Sequence, residues 1–270
     1  MIKFFRKIRQ ALLMENQTSA KASAGSKVSK YLLYAFGEIL LVVIGILLAL
    51  QIDSWNDQRI ENRQEVELLR AMKEEFQFNA DQLNTSINTN KKVAQVCKDL
   101  TRMIRADSVT AAPDKMYDLL MRMLDFNSFD ARTGVSGEIV RSGKLNILKN
   151  DKLRAQLVNW LTILEDCEED ILFRSENYTT NLMPFLMKRF PLANGELTKK
   201  LDFDKNNYLD TYTERSPFKI DISPKDLMEF ENQIWHHKHN HDYVMINELN
   251  TRDFINTTRK MIEEELKKKE

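Results

Sequence analysis

The sequence predicts an all-α protein: one N-terminal transmembrane helix followed by an extracytoplasmic antiparallel bundle of long helices. Three observations carry this. Only seven Gly and five Pro occur in 270 residues, well below an ordinary combined usage of about 12%, which disfavours turn-rich sandwiches and barrels. No Gly or Pro falls between Gly45 and Pro113, between Gly143 and Pro184, or after Pro224, which leaves three windows for long helices. Residues 31–50, YLLYAFGEILLVVIGILLAL, are an apolar run whose single charge is Glu38.

Residues 1–30 read as a cytoplasmic basic amphipathic segment and linker. Ile2, Phe5, Ile8 and Leu12 recur at roughly helical spacing with Lys3, Arg6, Lys7 and Arg9 between them. A helix of this kind lies on an anionic leaflet, each basic side chain contributing about 1 kcal/mol. The plainer alternative is a basic flank that only sets topology. Residues 16–27, NQTSAKASAGSK, are small and polar, as a flexible link would be.

Residues 31–52 form the span. Twenty helical residues cover about 30 Å, the thickness of the hydrocarbon core, and Tyr31, Tyr34 and Trp55 flank the run where aromatic rings prefer the interface. Seven basic side chains against Glu15 precede Tyr31, whereas Asp53, Asp57, Arg59 and Arg63 mix the signs after it. The positive-inside rule then leaves the N-terminus in the cytoplasm and puts residues 53–270 outside. The apolar run exceeds the roughly 7–15 residues of a signal-peptide core, and the exit LLALQID lacks a small-residue cleavage pair. The segment reads as an anchor.

In the outer domain, Ile52, Trp55, Leu69, Met72, Phe76, Leu83, Ile87, Val93, Leu100 and Ile104 step mostly by three, four or seven. That is an amphipathic helix in near-heptad phase, and no breaker separates it from the span. A shorter helix is predicted over Asp114–Asp125. Another carries Leu153, Leu157, Trp160, Leu164, Ile171 and Tyr178, after a turn at Asn150-Asp151. Residues 190–217 read as an irregular excursion or small hairpin. Ser223-Pro224-Lys225-Asp226 is a helix start, with a Ser cap, Pro in the first turn and an acid behind it. Four long antiparallel helices around one core is the economical arrangement.

Equal totals of 40 basic and 40 acidic residues supply no positive excess for phosphate contacts, so no nucleic-acid partner is expected. There is no GxSxG, no phosphate-cradling GxxxxGK and no Gly-rich nucleotide loop, so neither catalysis nor a cofactor is expected. Glu38 is the sharpest signal, because a carboxylate within a span must face protein, water or headgroups. Gly37, Leu41, Gly45 and Ala49 recur every four residues, and Gly45-xxx-Ala49 permits close helix approach. Glu38, seven residues before Gly45, lies on or beside that face, so it pairs with a partner helix, snorkels to the headgroups, or lines an ion path. All four histidines fall in HHKHNH, as His236, His237, His239 and His241. His237 and His241 sit one helical turn apart, a spacing that binds metal, but a tetrahedral site needs further ligands. A polar layer is the expected alternative, and a pH-responsive contact a third. Cys97 and Cys167 both fall in the inward phase of their helices. They are candidates for a disulfide clamping two helices, or for inert buried thiols.

The opening MIKFFRKIRQ, the span KYLLYAFGEILLVVIGILLALQIDSWN and the mid-chain VSGEIVRSGKLNILKNDKLRAQL resemble a family of Bacteroidota single-pass membrane proteins catalogued as domain of unknown function 6090. The match is dense over about the first 60 residues and looser in mid-chain, and from Leu201 onward the pattern is not matched. The resemblance implies a Gram-negative inner-membrane anchor with a periplasmic helical domain, and it brings no activity or catalytic residue. With the residues, it predicts a non-enzymatic sensing or interaction module that contacts the lipid bilayer and forms a homo-oligomer or binds another membrane protein. The alternatives are a stator-like ion-path subunit using Glu38 and a metal-binding periplasmic protein using the His236–His241 cluster.

Overall fold

A computed structural model describes residues 24–198 and 212–269, with side chains from Leu32. The expected interfacial helix over Ile2–Leu12 and much of the expected excursion after Phe190 lie outside these residues. Every regular element among them is helical. The chain divides into two compact units, Met1–Asn62 and Arg63–Glu270.

Helix α1 (Ala24–Arg105) is unbroken over 82 residues and supplies both units, as the absence of Gly and Pro after Gly45 predicts. In the first unit, every side chain from Leu32 to Leu50 is exposed. An 18-residue window there has mean hydropathy 2.5 and none of it is buried, which makes α1 long and apolar enough to cross a membrane. Its backbone polar groups are satisfied within the helix, the condition for a segment surrounded by hydrocarbon.

The second unit continues with α2 (Pro113–Met123), α3 (Gly134–Arg141), α4 (Asp151–Asn177), α5 (Met183–Arg189) and α6 (Pro224–Lys267). The starts of α4 and α6 have a local cause. The Asn150 side chain accepts hydrogen bonds from the backbone N–H of Lys152 and Leu153, capping α4. Ser223 and Asp226 form a reciprocal capping box at α6, with Pro224 in the first turn. Gly143 ends the α3 region in the left-handed conformation, φ +71°, which a side chain resists.

Packing follows a three-four repeat on the long helices. On α1 the buried positions include Leu69, Met72, Phe76, Asn79, Leu83, Ser86, Asn90, Val93, Cys97, Leu100 and Ile104. On α6 they include Phe230, Ile234, His237, His241, Val244, Glu248, Thr251, Ile255, Thr258, Ile262 and Glu265. Such a seam keeps one stripe of each helix facing its neighbours over many turns.

Two expectations need correction. First, there is not one apolar core but two clusters. The first gathers Leu69, Phe76 and Ile87 of α1, Leu153, Leu157 and Trp160 of α4, and Ile255 and Ile262 of α6. The second gathers Val93, Leu100 and Ile104 of α1, Met116 and Leu120 of α2, Phe185 of α5, and Phe230 and Ile234 of α6. Following the chain, α1 passes from the first cluster to the second, whereas α6 passes from the second to the first. Between them the seam carries Asn90 on α1 and His237, His241, Glu248 and Thr251 on α6, with apolar Val244 among them. Second, only α1, α4 and α6 are long among the described residues. The chain from residue 113 to 150 holds α2, where a shorter helix was expected over Asp114–Asp125, and then α3 and a 3-10 turn (Lys144–Ile147), with non-helical stretches between them.

Side chains of α1 hold that broken stretch in place. Asn79 donates to the Arg132 carbonyl at 2.9 Å and accepts from the Arg132 N–H at 2.8 Å, imitating a backbone pairing. The Glu75 carboxylate accepts from the N–H groups of Val135 and Ser136 at 2.6 and 3.1 Å. These are first-turn amides of α3, which its own N-cap residue, Thr133, leaves unbonded by side chain. A negative group there also meets the positive end of the helix dipole. Buried Glu65 accepts from the Lys149 N–H at 2.8 Å and the Lys269 Nζ at 2.5 Å.

Candidate functional site

Two places carry chemistry that packing alone does not require. One is the exposed face of α1. Gly37, Glu38, Leu41, Gly45 and Ala49 are all exposed, and a Cβ added at Gly37 or Gly45 would meet nothing within 4 Å. The face is open to a partner helix or to lipid.

The other is the polar layer between the two clusters, built by α1, α4 and α6. Glu248 is 2% exposed. Its carboxyl accepts from the Asn90 Nδ2 at 2.8 Å and lies against the Ser86 hydroxyl. Asn90 Oδ1 in turn accepts from the Arg174 Nη1 at 3.1 Å and the His241 Nδ1 at 2.7 Å. Arg174 Nη2 donates to the Asn127 carbonyl at 3.2 Å. A buried carboxyl and a buried guanidinium therefore face each other through one amide, an arrangement in which each group is hydrogen-bonded rather than left bare. Burial pushes the Glu248 carboxyl up from its ordinary value and the Arg174 guanidinium down. Ser86 has one proton and lies near two oxygens, those of Glu248 and of the Asn127 carbonyl at 3.2 Å.

The histidine pair belongs to this layer. His237 and His241 have ring centroids 4.6 Å apart in an edge-on arrangement. His237 Nε2 lies 3.0 Å from the Met123 carbonyl, an acceptor, so this nitrogen carries the proton. By the same reasoning His241 Nδ1 is protonated toward Asn90 Oδ1, which fixes both tautomers. Burial pushes His237 down to about 4 and His241 to about 2, with the positive charge of Arg174 adding to it. Both rings are therefore neutral at pH 7.

The other expected site residues are placed as follows. Asp242 and Glu231, the acids nearest the histidines in sequence, pair with Lys238 and Arg105. Among the described residues no three His, Cys, Asp or Glu side chains come together as a metal would require. His236 and His239 lie toward the outer face, stacked on Trp235. Cys97 and Cys167 are both buried, as their helical phase predicts, but they are free thiols and no disulfide joins them. Cys97 belongs to the second cluster, while Cys167 meets the Thr251 hydroxyl at 3.4 Å. Burial pushes both thiols up, Cys97 to about 12, so neither is a nucleophile.

Ser86, Asn90, Arg174 and Glu248 were not legible as a site when apolar residues alone were followed. The signal lay in the gaps of the repeat: on α1 and α6 the three-four stepping stays in phase only when Asn79, Ser86, Asn90, His241 and Glu248 are counted as inward.

The class is thus a helical protein with, among the described residues, one helix long and apolar enough to cross a membrane, and a second unit with its own core. The chain belongs to the family of unknown function DUF6090, whose model matches residues 38–187. That match starts within the apolar run and ends in α5. Helix α6, which brings His237, His241 and Glu248 to the layer, lies beyond it. No curated protein and no solved structure matches the chain.

Proposed function

We propose that the protein is a single-pass inner-membrane protein. Residues 1–30 are cytoplasmic, residues 31–52 span, and residues 53–270 form a periplasmic antiparallel helical domain that senses or binds without catalysing a reaction. The observation that carries this is the contrast in burial along α1. The apolar run from Leu32 to Leu50 is exposed throughout, while the second unit buries Leu69, Met72 and Phe76 completely. An exposed apolar surface of that length needs an apolar solvent. The seven basic residues before Tyr31 support the orientation. The opposite order in which α1 and α6 visit the two clusters supports the antiparallel reading. The layer of neutral histidines and hydrogen-bonded polar groups supports a rigid, non-catalytic interior.

Within the bilayer, the Gly37, Glu38, Leu41, Gly45 and Ala49 face associates with a second copy or another membrane protein. Orientation is tested with an impermeant maleimide on intact spheroplasts carrying Thr18→Cys or Lys219→Cys. Labelling at position 219 alone is expected, and labelling at position 18 alone overturns the orientation. Association is tested by the mass of the detergent-extracted complex with and without Glu38→Ala. An oligomer that survives the substitution removes Glu38 from the contact.

A further inference from the structure

Outside the buried layer, the second unit carries two surfaces of opposite character that do not meet within one chain. The first is a cleft of about 290 Å³ between α1 and α6. Lys98, Arg102 and Arg105 of α1 and Lys238 of α6 line it, with Glu231 and the flank of Trp235. Lys91, Lys98, Arg102 and Arg105 are spaced by seven, four and three residues, one stripe of α1. Arg102, Arg105 and Lys238 pair with Asp99, Glu231 and Asp242, while Lys98 has no ion pair among the described residues. Beside the cleft α6 exposes the apolar side chains of Met228, Trp235, Tyr243 and Ile246, each 56–71% exposed, with Glu229 and Asn232 exposed among them. Trp235 stacks on His239 at 5.0 Å, and His239 meets Tyr243 edge-on at 4.8 Å, which holds this stripe in one conformation. Aromatic residues, Met and Arg around an open cleft are the composition of a protein-binding surface.

The second surface is the solvent face of α4. Glu165, Glu169, Leu172 and Glu176 share one side of the helix, with Glu168 and Phe173 flanking it. None of these glutamates makes an ion pair among the described residues, and Leu172 and Phe173 are 61% and 60% exposed. Glu165 and Glu169 are like charges one turn apart, an arrangement that weakens an isolated helix. Because α4 meets α6 through its opposite side, where Cys167 touches the Thr251 hydroxyl, this face cannot fold back into the cleft of its own chain.

We propose that the acidic, apolar face of α4 docks on the basic, aromatic cleft between α1 and α6 of a second copy of the chain. Glutamates would meet Lys98 and Arg102, and Leu172 and Phe173 would cover Trp235. The contact joins two unlike patches, so it is heterologous, and copies oriented alike build rings or rows rather than stopping at a reciprocal pair by necessity. This deepens the interaction reading above and rests on it in taking the domain to be an association module. It does not use the Glu38 face.

The test uses the full chain in detergent, as an equal mixture of isotopically light and heavy protein, with a photoreactive residue at position 172. The expected product is a light–heavy adduct near Trp235. Its yield should fall at least about tenfold in K98E/R102E and in E165K/E169K, as for reversal of steering charges. Mixing those two variants should restore it, because the reversed cleft then meets a reversed helix face. The yield should also fall at about 1 M salt, where charges are screened beyond about 3 Å. All four positions are exposed, and unchanged helical circular dichroism verifies the fold. An adduct within one chain, on a different surface or to a different protein overturns the proposal, as does a yield indifferent to both reversals. Repeating the experiment in Glu38→Ala separates the two contacts: the adduct is expected to persist there even if the membrane-face oligomer is lost. An adduct that vanishes with Glu38→Ala but ignores both charge reversals overturns the docking and leaves the membrane contact standing.

Discussion

The two units invert each other's burial. Between Leu32 and Leu50 apolar side chains lie outside, and in the second unit Ser86, Asn90, Arg174, His237, His241 and Glu248 lie inside. An apolar exterior is stable only in an apolar solvent, where helix backbones keep their hydrogen bonds and side chains need none. A polar interior is stable only if most of its groups find partners, because desolvation without one costs more than the hydrogen bond returns; among the described residues His237 Nδ1 and His241 Nε2 have none. The first arrangement is therefore set by the surroundings and the second by geometry. The first survives many substitutions among apolar residues, while the second is intolerant of single changes.

That contrast can be broken most severely at Arg174. Arg174→Ala strips donors from Asn90 and Asn127 and leaves Glu248 without its buried counter-charge, a loss of about 3–5 kcal/mol by analogy with other split buried pairs. Denaturant unfolding of the full chain in detergent measures it. Replacing both partners, as Arg174→Met with Glu248→Leu, should recover most of the loss, and equal damage in both variants would show that the pair is not the unit of stability.

Acid probes the same layer. Both histidines hold protons more weakly folded than unfolded, so their contribution is complete above about pH 6.5 and is lost as pH falls below it, toward 4 for His237 and on toward 2 for His241. Between about pH 6.5 and 4 both rings are protonated only in the unfolded chain, so stability falls by roughly 3 kcal/mol per pH unit, and below 4 by about half of that. Glu248 acts with the opposite sign. Its raised value makes protonation favour the fold, so its contribution is present at low pH and lost as pH rises through that value. A melting-temperature series from pH 7 to 4.5 should fall steeply in the native chain and flatten in His237→Asn/His241→Asn. A flat native profile would mean that the rings are charged or exposed.

Glu75→Ala has a smaller expected effect, roughly 2 kcal/mol, by removing two charge-assisted hydrogen bonds to α3. Hydrogen exchange should report it first at Val135 and Ser136. Ser223→Ala costs about 1 kcal/mol through loss of the α6 cap, visible as faster exchange confined to the first turn of that helix.

How much was legible follows from what periodicity can encode. The unbroken α1, the capping box at Ser223, the Asn150 turn and the inward phase of Cys97, Cys167, His237 and His241 are local features, and each appears in the structure where the residues indicate. The division of the core into two clusters is not legible from apolar residues alone, because Asn79, Ser86 and Asn90 look like gaps in the repeat yet occupy buried seam positions. The short helix α3 is not legible for a related reason. Asn79 and Glu75 bond the backbone of residues 132–136 from another helix, and that competition for backbone groups cannot be read within the segment itself.

The sequence by itself determined the helical class, the apolar run, its charge asymmetry and the starts of α4 and α6, because these depend on residues a few positions apart. Tertiary structure alone decided that Glu248, Asn90, Arg174 and His241 form one hydrogen-bonded set, that both histidines are neutral, and that Cys97 and Cys167 stay apart. Residues on three different helices meet there, and the sign of a pKa shift or the partner of a buried amide depends on what faces it across the core, not on its neighbours along the chain.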